Sequence, residues 1–206
     1  LYGDNNLAPF SNEKGLYGYI DKTGKIVIDA QFYWADPFKN GLARVFIDGK
    51  NGFIDESGKV VISAQFDAAY SFGDNGLALV MDQNGLYGFI DKTGEYVIEP
   101  KFNKAYPFSK NSLSCIYDLG PWGYINESGK FVIGPNEAFE TASSFSDNGL
   151  ALVLSGGLYG FIDKTGNWVI EPQFESALGF ENGLAKIYND GKEGYVNEKG
   201  EIFILK

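Results

Sequence analysis

Six short blocks of this 206-residue chain end in a side chain that could hold a cation, namely Asp21, Asp55, Asp91, Asn126, Asp163 and Asn197. Each is followed three residues later by a glycine: Gly24, Gly58, Gly94, Gly129, Gly166 and Gly200. Carboxylates beside glycine turns can ligate calcium, but a calcium loop supplies carboxylates at alternate positions before its glycine. Here one side chain serves each turn, and a lysine follows it at Lys22, Lys92 and Lys164. The pattern therefore predicts carboxylates that cap the backbone N–H groups of a turn, and no metal site is assigned. Glu99 and Glu171 occupy matching places farther along the blocks and are the pair that could serve glycoside hydrolysis. That reaction needs carboxyl groups about 5–5.5 Å or 6.5–9.5 Å apart with their pKa values pushed apart. Nothing in the sequence raises one above the other, so no catalytic residue is assigned and no enzyme is expected. Cys115, the one cysteine, has no neighbouring cation in sequence to activate it and reads as a half-buried structural thiol.

The residues that are missing narrow the chemistry further. Without histidine, the Ser-His-Asp and Cys-His nucleophile systems and every histidine-ligated metal site are excluded. One cysteine can close no internal disulfide. No cofactor is expected. The net charge of −10, with Arg44 as the single arginine, opposes the counterion release by which proteins hold DNA or RNA. Nucleic acid is therefore not an expected partner. Nor is membrane insertion, since no apolar run approaches the roughly 18 residues of a span. Leu1 opens no charged-then-apolar leader, so any signal peptide is expected to lie outside this sequence.

The elements that must position these side chains come from a repeat. The block Gly18-Tyr19-Ile20-Asp21 returns at Gly52, Gly88, Gly123, Gly160 and Gly194, at intervals of 34–37 residues, and each copy places an isoleucine four residues after its turn glycine, from Ile28 to Ile204. A second block fills the gaps, with Phe32, Ala35, Phe38, Gly41-Leu42-Ala43 and Val45 recurring through the chain. Tyr2 to Ala8 aligns with Phe72 to Ala78, so the whole of 1–206 reads as one repeat domain. Its copies lie near 1–29, 38–63, 72–99, 108–134, 145–171 and 180–206, with connectors between them.

Each copy predicts a three-stranded antiparallel meander, exemplified by strand a at 42–47, strand b at 52–55 and strand c at 59–63, with glycine taking the φ > 0 position of the turns. Along strand c, Ile26 and Ile28 would share one face and Val27 the other, and all six copies are apolar at these three positions. Tyr96 and Trp168 fall in this series and read as core. Sheets apolar on both faces must stack on their neighbours, which predicts an all-β array of six repeats of about 35 residues. The chain starts before a strand a and stops at a strand c. That complementary phase favours a closed, propeller-like ring, and an open β-solenoid or superhelical array is the alternative.

Positions that serve the fold agree among copies, so a departure in one copy marks a candidate for binding. Tyr33-Trp34 stands where the siblings have Asp67-Ala68, Asn103-Lys104, Glu140-Thr141 and Glu175-Ser176. An exposed tryptophan there would suit a protein interface or a sugar-stacking platform. Tyr70 and Tyr106, one residue past the repeated alanine, would widen the same surface. The tentative binding set is therefore Tyr33, Trp34, Tyr70 and Tyr106.

The repeat, with its Gly-Tyr/Phe-Ile-Asp core, Thr-Gly-Lys turn, Ile-Val-Ile strand, Phe-x-x-Ala-x-x-Phe connector and Gly-Leu-Ala, resembles the WG-repeat (KWG-repeat) family of bacterial proteins over essentially the full chain. The pair that gives the family its name survives as Trp122-Gly123, with tyrosine, asparagine or glutamate before the glycine elsewhere. The resemblance implies a bacterial binding or scaffold module at the cell surface, in the periplasm or secreted, with no established active site. The expected partner is another protein, and a surface glycan is the alternative.

Overall fold

A computed structural model describes residues 2–204, so Leu1, Leu205 and Lys206, and with them both outer limits of the predicted repeat domain, lie outside the described residues. Those residues hold six small antiparallel sheets and no helix. The first sheet is a meander of β1 (Ala8–Ser11), β2 (Tyr17–Ile20) and β3 (Ile26–Phe32). The second adds a strand, in the order β4 (Trp34–Ala35), β5 (Ala43–Ile47), β6 (Lys50–Ile54) and β7 (Val60–Phe66). Four-stranded sheets of the same kind follow over 68–102, 104–133, 141–174 and 176–204.

The predicted three-stranded unit is thus corrected to four strands in every sheet but the first. In four sheets strand c runs on to the phenylalanine that the sequence placed in the connector, at Phe32, Phe66, Phe102 and Phe174, and the next two-residue strand joins the following sheet, with Trp34 opposite Phe46 and Ala35 opposite Val45. Two residues carry no alternation for a sequence to show. A bulge sits between strands b and c: Tyr17 faces Phe32 and Tyr19 faces Ile28, leaving one residue on β2 against three on β3. Gly18 is that one residue. A methyl group there would stand 2.4 Å from the Ile28 carbonyl oxygen, and Gly88 and Gly160 are closed over at 2.6 Å in the same way. The repeated glycine is therefore required by the close approach of strand c.

Consecutive sheets within a unit stack through one face each. Between the first and second sheets lie Tyr19, Ile28 and Phe32 against Ala35, Phe38, Ala43, Val45 and Ile54. Aromatic pairs recur at these joints, Tyr19 with Phe38 at 4.7 Å, Phe53 with Phe72 at 4.9 Å, Tyr124 with Phe145 at 4.8 Å and Phe161 with Phe180 at 4.7 Å. The expectation that strand c is buried on both faces is not met. Ile28 is covered, but Ile26 and Val27 are exposed, as are Val60, Val61, Tyr96, Val97, Phe131 and Val132, because strand c is an edge strand bonded to strand b alone. Trp168 is half-buried, packing edge-on to Phe139 at 5.9 Å. These apolar residues reflect strand propensity at an edge rather than a core. The chain divides into two compact units of three sheets, the first ending at Phe102 and the second beginning at Asn103.

Candidate interaction surface

Trp34 opens from the short strand β4. Alternation buries its neighbour Ala35 and leaves Trp34 48% exposed. The indole is nonetheless fixed. Its N–H donates to Asp36 Oδ1 at 2.8 Å, and its ring leans on Tyr17 with centroids 5.1 Å apart. Asp36 is gripped from the next strand by Arg44, whose Nε donates to Oδ2 at 2.7 Å and Nη2 to Oδ1 at 3.0 Å. Arg44 Nη1 reaches Asn51 Oδ1 at 3.2 Å, and the buried Asn51 amide donates to the carbonyls of Phe66 and Asp67, both at 3.2 Å. Burial works to raise the pKa of Asp36, but hydrogen bonds from Arg44, Trp34 and Ser71 and the guanidinium charge outweigh it and hold the carboxyl below its usual range. A half-exposed indole is thus mounted on a bidentate ion pair.

Tyr33, just before the strand, is the most exposed of the four tentative residues, and its amide is tied to the Phe46 carbonyl at 3.0 Å. Tyr70, just past the short strand Ala68–Ala69 that opens the third sheet, is exposed, with its amide bonded to Leu79 O at 2.9 Å. Burial, and then the nearby Tyr70, raise the pKa of Tyr87. Tyr106 is exposed too, stacked on the buried Trp122 at 6.2 Å, but it belongs to the second unit. Tyr33, Trp34 and Tyr70 share the first unit.

The sequence reading missed the support under Trp34. Asp36 stands where other copies have Tyr70, Tyr106, Ser143 and Leu178; Arg44 where they have Leu79, Cys115, Leu152 and Lys186; Asn51 where they have Tyr17, Tyr87, Trp122, Tyr159 and Glu193. Three polar departures in one copy were the available signal, and only the pairing of the strands shows that they meet.

The other candidates resolve differently. Asp21 Oδ1 accepts hydrogen bonds from the Thr23 amide at 2.8 Å, the Thr23 hydroxyl at 2.6 Å and the Lys25 amide at 3.1 Å, and Asn126 does the same for Ser128 and Lys130. These side chains cap turns. Glu99 and Glu171 are exposed and belong to different units. Cys115 is fully rather than half buried, and burial pushes its thiol up to about 12, against a hydrogen bond with Tyr124 that lowers it. A thiol held in that state is a poor nucleophile.

The WG containing repeat family matches residues 17–50, 52–87, 87–117, 122–159 and 159–192, most of the chain. The chain belongs to this family. Its WG repeats are similar in fold to solved structures that are β-propellers. BamB from Moraxella catarrhalis aligns over 100% of this chain and 71% of its own at 13% identity and TM-score 0.57. Hsv2 from Kluyveromyces lactis aligns over 96% of this chain and 73% of its own at 10% identity and TM-score 0.56. The dihydro-heme d1 dehydrogenase NirN aligns over 100% of this chain and 55% of its own at 13% identity and TM-score 0.54. At these identities the likeness concerns the fold alone, and the WG-repeat chain spans only part of each longer protein. No protein of curated function matches it by sequence.

Proposed function

We propose that this WG-repeat chain is a non-enzymatic module for protein–protein interaction that binds through the connectors of its first unit, with Trp34 as anchor. The observation that carries the reading is a tryptophan half open to solvent yet held rigid by Asp36, Arg44 and Tyr17. A pre-ordered aromatic loses little entropy on binding, which is why such residues dominate interfaces. Tyr33 and Tyr70 extend the surface. The partner is a protein at the bacterial surface, in the periplasm or in the surrounding medium. We take the sheets to be of the propeller type, on their likeness in fold to BamB over the whole of this chain.

A photo-crosslinking residue at position 33 would identify the partner, and titration of that partner would measure its affinity. Trp34→Ala should weaken it by tenfold or more, the scale of an interface hot spot, with the melting temperature little changed. Unchanged affinity removes Trp34 from the interface. Two adjacent exposed rings also favour a second reading, a carbohydrate module. Saturable quenching of tryptophan fluorescence by cell-wall glycan fragments, abolished by Trp34→Ala, would replace the protein-binding reading with that one.

A further inference from the structure

Within the first unit, the second and third sheets enclose a pocket whose lining departs from the repeat at several points at once. It is a cavity of about 270 Å³, lined by Gln65 and Phe66 from the end of strand c in the second sheet and by Asp82, Gln83 and Tyr96 from the third. Tyr96 stands where the other copies have Ile26, Val60, Phe131, Trp168 and Ile202, and its ring meets Phe66 edge-on with centroids 6.4 Å apart. Two amides in the lining are uncommitted. The matching glutamines of other copies fold back on their own strand, Gln31 donating to the Asp29 carbonyl at 3.3 Å and Gln173 to the Glu171 carbonyl at 3.2 Å. The side chains of Gln65 and Gln83 make no hydrogen bond with any described residue.

The negative charge of the pocket is surplus to the fold. Asp82 caps the turn into strand b, its Oδ1 accepting from the Asn84 and Leu86 amides, each at 2.9 Å, and its Oδ2 from the Asn84 side chain at 2.9 Å. The turn needs an oxygen but not a charge, because Asn12 does the same work in the first sheet, accepting from the Lys14 and Leu16 amides at 2.9 and 3.0 Å. Burial, and then the charges of Asp82 and Glu99, raise the pKa of the Tyr96 hydroxyl, so a second carboxylate lies close to the same ring. Neither Asp82 nor Glu99 is ion-paired among the described residues, and no lysine or arginine lines the cavity. The chain shows what such a place accepts. Lys101, which aligns with Gln65, carries its ammonium 5.2 Å from the ring centroid of Phe102, the counterpart of Phe66. With glutamine at 65, the second sheet keeps the ring and lacks the cation.

We infer that this pocket binds an alkylammonium group, with Asp82 as counter-ion, Phe66 and Tyr96 as an aromatic wall, and the carbonyl oxygens of Gln65 and Gln83 as acceptors. An ammonium brings three donors for these oxygens and is drawn to the electron-rich ring faces. An anion would be repelled by Asp82 and Glu99. A neutral sugar would use the amides and rings but would leave the charge at Asp82 unanswered, and a purely apolar group would leave the two amides unpaired. Lysine side chains of proteins and free polyamines both end in the group that fits. The inference stands apart from the proposed use of Trp34, which lines no part of this pocket.

NMR titration of the isotope-labelled full chain at constant ionic strength tests it. Nα-acetyl-lysine methylamide and 1,4-diaminobutane should each shift the Gln65 and Gln83 side-chain amide resonances saturably, whereas Nα-acetyl-norleucine methylamide, which lacks the ammonium, and methyl glucoside should not. Tighter binding of the lysine derivative assigns the site to a protein lysine, and tighter binding of the diamine assigns it to a free polyamine. Asp82→Asn keeps the turn as Asn12 does and should weaken binding about fivefold, the upper end for an ion pair at a surface. Tyr96→Val, copying Val60, should weaken it about two- to fivefold, the scale of one cation–π contact. Circular dichroism of both variants should match the parent. Trp34→Ala should leave amine binding unchanged, so a failure of the interface reading and a failure of this inference are told apart. Saturable shifts with the norleucine derivative or with the sugar alone, affinity undiminished by Asp82→Asn, or no saturable shift with either amine would each overturn the inference.

Discussion

At the scale of single residues, the ion pair beneath Trp34 is where this copy of the repeat departs furthest from its siblings. Side-chain exposure is 25% at Arg44 and 19% at Asp36, so both charges are largely removed from water and depend on each other. Arg44→Leu introduces the residue that Leu79 and Leu152 show to be compatible with the position, but it leaves Asp36 with Trp34 and Ser71 and no cation. A loss of about 1–3 kcal/mol is expected, the usual cost of stranding a buried polar group. Adding Asp36→Ser, which with Arg44→Leu copies the Ser143 and Leu152 of the fifth sheet, should recover part of it. Urea unfolding of the two single variants and the double variant checks this. Strictly additive losses would show that the pair contributes nothing as a pair. The same cluster shows what sequence could reveal at this scale: each polar departure was visible, but their meeting depends on β4 pairing with β5 and β5 with β6.

At the scale of the element, strands a and b and the turn into strand c were legible, because their signals are local: alternation, a capping aspartate and a glycine. The fourth strand and the exposure of Ile26 and Val27 were not. Both depend on which strand lies at the edge of its sheet, and alternation alone does not distinguish an apolar edge from a covered strand. The glycine of the b–c turn separates local from tertiary demands. Gly24 and Gly58 have nearly the same backbone, φ 85° and 84°, yet only Gly58 lies under an isoleucine. Gly24→Ala should therefore cost only the left-handed penalty, about 1–2 kcal/mol. Gly58→Ala adds the displacement of Ile28, a further ~1–3 kcal/mol of overpacking. Measured by denaturant unfolding of dilute protein, equal losses at the two sites would mean that Ile28 yields freely and that the glycine–isoleucine seat does not hold the joint.

At the scale of the whole molecule, the two units should respond unequally to acid. The pKa values of Asp21, Asp55 and Asp91 are lowered foremost by the hydroxyls of Thr23, Ser57 and Thr93, and that of Asp82 by the Leu86 amide. With Asp36 these make five depressed aspartates in the first unit. In the second unit Asp163 is held down by Thr165, but the equivalent turns at 126 and 197 are capped by asparagine, which accepts the same hydrogen bonds without titrating in this range. A group whose folded pKa lies below its unfolded value of 3.8 adds stability above that pH and loses it as the pH falls through the folded value. The first unit should therefore weaken more steeply below about pH 4. Hydrogen exchange followed by mass spectrometry in this range should show amides of residues up to Phe102 losing protection before those from Asn103 onward. Asp55→Asn with Asp91→Asn, copying Asn126, should leave the neutral stability almost unchanged and flatten the acid response of the first unit. Loss of protection at the same pH in both units, or earlier in the second, would mean that the turn aspartates do not govern acid unfolding and that interactions shared by all six sheets do.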